Sequence, residues 1–246
     1  HCGDHFRVQH WLIGLDTDHD IVVLQGDAAF PGRLFYPVQR PDMSVSGHDR
    51  GIALAFGEVA DFGVASGEKQ AIPALKGKID VPVEKRFTGW DAFQQVIESG
   101  VDSVLLTTPP HFRPMHIKAA IQAGKHVFAE KPVAVDAPGV RSVLKTCELA
   151  REKGLSVVSG LCLRYGNGFR SVMKRIHNGD IGDLHTLYAN DYRGSIWYKE
   201  RQPDWTDMHY QLRNWYYYTW LSGDFNVEQH VHNLDVCSWA RGEYPV

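Results

Sequence analysis

Four short apolar runs punctuate the chain, at residues 20–27 (DIVVLQGD), 101–110 (VDSVLLTTPP), 125–132 (KHVFAEKP) and 155–162 (LSVVSGLC). Each is rich in β-branched residues and nearly continuous in hydrophobicity, which predicts strands covered on both faces. Between them, residues 90–99, 111–123 and 138–153 show helical spacing. The last of these helices opens with Asp136 as a capping residue and Pro138 in the first turn, where a missing N–H costs nothing. Strand and helix therefore alternate, and right-handed crossovers between parallel strands build an α/β, doubly wound parallel sheet over residues 1–160.

Past residue 160 the rhythm changes. A helix is predicted over 167–178, then a polar NGDIGD turn, then LHTLYANDYRG (184–194), whose mixed alternation suits a strand covered on one face. These mark a second, partial α/β domain over 161–246. It stops at Tyr244-Pro245-Val246, directly after a helix, and a sheet of one or two strands makes a poor independent domain. Residues 36–80 hold scattered Gly, Pro and Ser with weak periodicity. They read as an insertion with one short helix near 51–60, to which no chemistry is assigned.

At 246 residues, 43% apolar and 11% aromatic, the chain can fill a substantial core. A formal charge of -3 and a pI near 6.5 leave no electrostatic footprint for nucleic acid or an anionic membrane, so a small-molecule partner is expected. Cys2, Cys147, Cys162 and Cys237 never approach CxxC spacing and read as reduced structural thiols. No apolar stretch is long enough for a membrane span, and the first residues lack the features of a signal peptide. The expected compartment is the cytoplasm, with an upstream export segment left open because the chain starts at His1 rather than methionine.

Chemistry concentrates at the strand ends, because ligands of open α/β sheets bind outside the carboxyl ends of the strands. The run at 125–132 ends abruptly in Glu130, Lys131 and Pro132, which delivers a lysine to that edge. The alternative is an ordinary exposed pair closing a strand. One unit earlier, Thr107-Thr108-Pro109-Pro110-His111 holds an extended turn whose backbone suits contact with a nucleotide ring. A rigid connection with Thr108 or His111 near a helix cap is the other reading. At the start, Gly3 stands where a dinucleotide-binding turn needs its middle glycine, although His1 and Phe6 occupy the flanking glycine positions and the preceding strand is absent. Asp27 follows 24 residues later, where an acidic residue accepts from a ribose 2′-hydroxyl; this favours NAD over NADP, and capping of the next turn is the alternative.

Residues 222–240 (SGDFNVEQHVHNLDVCSWA) carry a further cluster. On a regular helix, at 100° per residue, Glu228, His232 and Asp235 fall within about 60° of one another and His230 points nearly opposite. A histidine one turn from a carboxylate suits general acid/base work near neutral pH. Exclusion of His230 argues against a metal site, and none is assigned; i,i+4 pairing on a helix surface is the structural alternative. Arg164 at the domain junction and Asn214 within the aromatic run 213–220 suit a sugar or polyol ring, although such a run also suits a core or a subunit interface.

TTPPH, AIQAGKHVFAEKP and a Gly-Asp turn leading into ExxxHxxD together resemble the glucose-fructose oxidoreductase and inositol dehydrogenase (Gfo/Idh/MocA) family over about residues 100–246. The resemblance implies a Rossmann-like domain that binds NAD or NADP, here with its first strand apparently missing. It also implies an α/β domain serving substrate binding and homo-oligomerisation, and a cis Lys131–Pro132 bond. By motif, Lys131 corresponds to the family's EKP lysine and His232 to its catalytic histidine, while Glu228 stands where many members have aspartate. With Glu130 and Lys131 also facing the cofactor and Asp235 the substrate, these roles imply hydride transfer between nicotinamide and a sugar, polyol or related secondary alcohol. His232 is then the base oriented by Glu228, and Lys131 polarises the oxygen. An NAD-dependent glycosidase of the same family is the alternative enzyme. A truncated, non-catalytic Rossmann-like binding or assembly module is the alternative outside enzymology.

Overall fold

The computed structural model describes residues 52–55 and 87–243 apart from 193 and 195. Gly3, Asp27, the run at 20–27, most of the 36–80 segment and Tyr244–Val246 lie outside these residues. Four strands form one sheet in the order β1 (Ile52–Ala55), β2 (Ser103–Leu106), β3 (His126–Ala129) and β4 (Val157–Ser159). Every adjacent pair is parallel, with Ser103 beside His126 and Val127 beside Val157. Residues 52–55 are thus a strand where the sequence predicts a short helix. Four apolar residues cannot nucleate a stable helix alone, whereas pairing with β2 satisfies the backbone groups directly.

Helices α1 (Ala92–Glu98), α2 (Arg113–Gln122) and α3 (Ala137–Glu152) pack around the sheet. Val96, Val104, Leu106, Ile117, Ile121 and Ala129 form a core removed from water. β2 and β3 alternate fully and partly buried positions, so one face of these strands is sealed and the other only partly covered, where the uninterrupted hydrophobicity predicts both faces covered. The start of α3 agrees with the sequence: Gly139 N donates to Asp136 Oδ1 at 2.7 Å, and Pro138 lies in the first turn. Lys153, just past α3, closes the end of α2 by donating from Nζ to the carbonyls of Ile121 and Gln122 at 3.1 and 2.8 Å, a favourable place for a cation.

Beyond β4, a 3-10 turn (Cys162–Tyr165), α4 (Asn167–His177), α5 (Asp207–Arg213), a second 3-10 turn (Trp215–Tyr217), α6 (Thr219–Ser222), α7 (Asp224–Glu228) and α8 (Val231–Arg241) follow. The strand predicted for 184–194 is not formed: residues 184–192 have no regular structure, and Tyr188 and Tyr192 are about nine-tenths exposed. A strand exists only within a ladder, and no described residue pairs with this segment. Leu212, Trp215 and Leu221 form a second core, against which Phe112 packs from the turn before α2. His111 N donates to Leu221 O at 3.1 Å, tying that turn to the later helices. Among the described residues no helix is long and apolar enough to cross a membrane.

Candidate active site

The regular helix expected to carry Glu228, His232 and Asp235 is broken after the first of them, and the Gly-Asp turn expected ahead of it is present. Gly223 adopts φ +80, and a Cβ there would come within 2.7 Å of the Val227 side chain, so glycine alone suits the junction of α6 and α7. Gln229 and His230 then separate α7 from α8. Glu228 therefore closes one short helix while His232 and Asp235 ride on the next, and the regular-helix argument that put all three on one face no longer applies. His230 stacks on Phe225, with ring centroids 6.2 Å apart.

What this break achieves is a contact across the molecule. Lys131 follows β3 at the carboxyl edge of the sheet, and its Nζ meets Glu228 Oε1 at 2.7 Å; the same ammonium also donates to the Glu228 carbonyl. Both side chains are largely withdrawn from solvent, at 13% and 6% exposure. Burial holds the Glu228 carboxyl above its ordinary range, opposed by Lys131, Arg113 and the Tyr216 hydroxyl. The Lys131–Pro132 bond is cis, as the sequence resemblance implies. Glu130 folds back so that its Oε2 accepts from Lys131 N at 3.1 Å. Its carboxylate lies over Gly160 at the end of β4, where any Cβ would come within 2.5 Å of that oxygen.

Arg113, the first residue of α2, escapes the sequence reading. It is 3% exposed, and its Nη1 donates to the Pro132 carbonyl at 2.6 Å. Burial lowers its pKa to about 10, while Glu130 and Glu228 act in the other direction. One signal was available: a cation at a helix N-terminus opposes the macrodipole and calls for a local reason.

The TTPPH segment divides. Thr108 is fully buried, and its Oγ1 pairs with His116 Nδ1 at 3.1 Å within the protein. Burial, followed by the charge of Arg113, lowers the His116 pKa to about 4. Thr107 Oγ1, by contrast, is buried without a protein hydrogen-bond partner at the carboxyl end of β2. Pro109 is half-buried beside it, and the His111 ring packs edge-on against Trp220 at 5.2 Å.

The residues expected to meet substrate are engaged within the protein. Arg164 Nε and Nη2 grip Asp235 through contacts of 2.7 to 3.0 Å, and the guanidinium lies 5.3 Å from the Trp239 ring centre. Asn214, 1% exposed, accepts from Lys199 N at 2.8 Å and donates to Lys199 O at 3.0 Å, clamping that segment as a neighbouring backbone would. His232 lies half-buried in the first turn of α8. No group of residues able to hold a metal occurs among those described.

A parallel sheet wound with helices, carrying a lysine beyond one strand end and an unsatisfied hydroxyl beyond its neighbour, is a Rossmann-type arrangement. Residues 62–161 match the model of the Gfo/Idh/MocA oxidoreductases, a family with an NAD-binding Rossmann fold. Among similar proteins are the 2,7-anhydro-N-acetylneuraminate hydratase of Escherichia coli K12, 28% identical over 145 residues (59% of this chain and 35% of that protein), and the inositol 2-dehydrogenase of Rhizobium meliloti, 27% identical over 146 residues (59% and 38%). The inositol 2-dehydrogenase/D-chiro-inositol 3-dehydrogenase of Halalkalibacterium halodurans is 34% identical over 115 residues (47% and 30%). The aligned part of the chain thus spans about a third of the length of these relatives.

Proposed function

We propose that the chain is an NAD(P)-dependent oxidoreductase, with NAD the favoured cofactor, that transfers hydride between nicotinamide and a sugar, polyol or related secondary alcohol. The observation that carries this reading is the Lys131–Glu228 pair: an ammonium at a strand end, withdrawn from water and held by a carboxylate from the later helices. An ammonium so placed suits a donor to a substrate oxygen whose negative charge grows as its proton departs.

The described residues fit a nicotinamide. Thr107 Oγ1 offers a buried, unsatisfied donor and acceptor for a carboxamide, with Pro109 and Glu130 beside it at the strand ends where such rings lie. A bound nicotinamide supplies the acceptor or donor of hydride at C4. Lys131 then binds the reacting oxygen, Glu228 fixes the direction of the lysine, and His232 takes the hydroxyl proton and returns it in reverse. The carboxylate in contact with Lys131 supports a role for Glu228 in bracing that lysine, rather than the histidine. Gly3 and Asp27 remain proposed pyrophosphate and ribose contacts, and Asp27 is the ground for NAD over NADP. Assembly into a homo-oligomer is part of the same proposal and rests on the family resemblance.

A second reading draws on the hydratase relative. Transient oxidation next to a C–H bond acidifies it, so one lysine and one proton-transfer group also serve elimination or hydration, and glycoside cleavage by the same route. The two readings differ in net NADH production.

Titration with NADH, followed by nicotinamide fluorescence, is expected to show saturable binding. A polyol panel with NAD is expected to yield NADH, and Lys131→Met and His232→Ala should each reduce turnover by about 10²–10⁴-fold. Undiminished turnover in either variant sinks these roles, and product without net NADH transfers the chain to the second reading.

A further inference from the structure

We propose that Arg113 is a positioning residue for this site: its guanidinium holds the Lys131–Pro132 turn by its carbonyl and, as a second buried cation beside that turn, favours the charged form of the Glu228 carboxyl that meets Lys131. The inference rests on the reading of Lys131 and Glu228 as working residues.

The geometry links three parts of the molecule. Arg113 begins α2, Pro132 directly follows the lysine, and Glu228 ends α7. A guanidinium is planar and permanently charged, so a bond of 2.6 Å to the Pro132 carbonyl fixes that turn more firmly than a flexible ammonium could. Its burial is costly unless acidic charge compensates, and Glu130 and Glu228 act on it in that direction. Two cations thus stand against two carboxylates in a region withdrawn from water. Removing Arg113 leaves Lys131 alone to balance both acids, and at low dielectric the cheapest response is for a carboxyl to take up a proton. Glu228, shielded at 5% exposure, is the one whose protonation would loosen Lys131.

The groups facing Glu228 are Lys131 from the turn after β3, Arg113 from α2 and Tyr216 from the second 3-10 turn. Glu130 belongs to the same charged cluster through Arg113, and His230 and His232 follow Glu228 in the chain. Neither histidine lies on the element that carries Arg113. A change confined to Arg113 therefore reads the electrostatic link directly.

The test is a carboxyl-carbon NMR titration of the full chain, with the Glu228 signal assigned by its loss in Glu228→Gln. In Arg113→Met the Glu228 midpoint should rise, because a cation that favours the charged carboxylate is gone. Arg113→Lys should restore most of that shift. An unmoved midpoint in folded Arg113→Met overturns the proposal, because a merely structural role would change stability and leave the titration alone. A measurement on the unaltered chain keeps the proposal falsifiable if the variant does not fold. The Arg113 guanidinium protons should resist exchange with solvent, and rapid exchange overturns the bond to Pro132. Neither readout needs turnover: a shifted midpoint in a chain inactive on every polyol removes the proposed function alone.

Discussion

Lys131 Nζ and Glu228 Oε1, 97 residues apart in the chain, meet at 2.7 Å. The contact ties the edge of the parallel sheet to the later helices, and at that edge the lysine becomes a directed group rather than a mobile one. Its electrostatics determine how the protein responds to pH.

Because burial raises the Glu228 carboxyl, the folded state holds that proton more tightly than the unfolded chain. The resulting stabilisation is present at low pH and is lost as the pH rises through the carboxylate range. Glu228→Gln removes the group, so denaturant midpoints should show the parent chain losing stability relative to the variant between acid and neutral pH. A pH-independent difference refutes the assignment.

His116 behaves in the opposite sense. Its pKa is lowered from 6.5 to about 4, so the unfolded chain binds the extra proton first, and stability falls as the pH drops from 6.5 towards 4. The full shift corresponds to as much as about 3 kcal/mol. His116→Phe should flatten this slope in urea denaturation, while leaving the Thr108 hydroxyl without its partner at a cost of about 1 kcal/mol at neutral pH. A slope unchanged by the substitution removes His116 as its origin.

Gly160 leaves room for a carboxylate. In Gly160→Ala the new Cβ meets the end of the Glu130 side chain, which can swing away, so the fold should survive with a loss of about 1 kcal/mol. Lys131 N then loses its acceptor, and its amide resonance should move together with a fall in turnover. Unchanged Lys131 resonance and unchanged turnover show that Glu130 takes no part in placing the lysine.

Arg164 and Asp235 should couple to each other. The Arg164 side chain is 38% exposed, so solvent screening limits the pair, and a double-mutant cycle by chemical denaturation should give about 1 kcal/mol despite the bidentate geometry. Coupling near zero removes the pair as a fastening between the first 3-10 turn and α8.

The sequence by itself determined the repeating core. Apolar β-branched runs separated by helical spacing have few ways to bury their surface, and parallel crossovers are strongly handed; β2, β3 and β4 with helices α1, α2 and α3 follow from local pattern. The Asp136 cap and the lysine at a strand end were legible for the same reason, since each depends on neighbours a few residues away. Ile52–Ala55 was not, because four apolar residues become a strand only where a partner offers a ladder. For the same reason 184–192 reads as a strand and does not form one here. The tertiary structure alone decided the site's wiring. The interruption at Gln229–His230 divided the helix expected to carry Glu228, His232 and Asp235, gave Glu228 to Lys131, and left Asp235 to Arg164. Arg113 and Thr107 acquire meaning only there, because burial and the direction of a polar group depend on residues far away in sequence. Charge held away from water is governed by those surroundings rather than by its own segment.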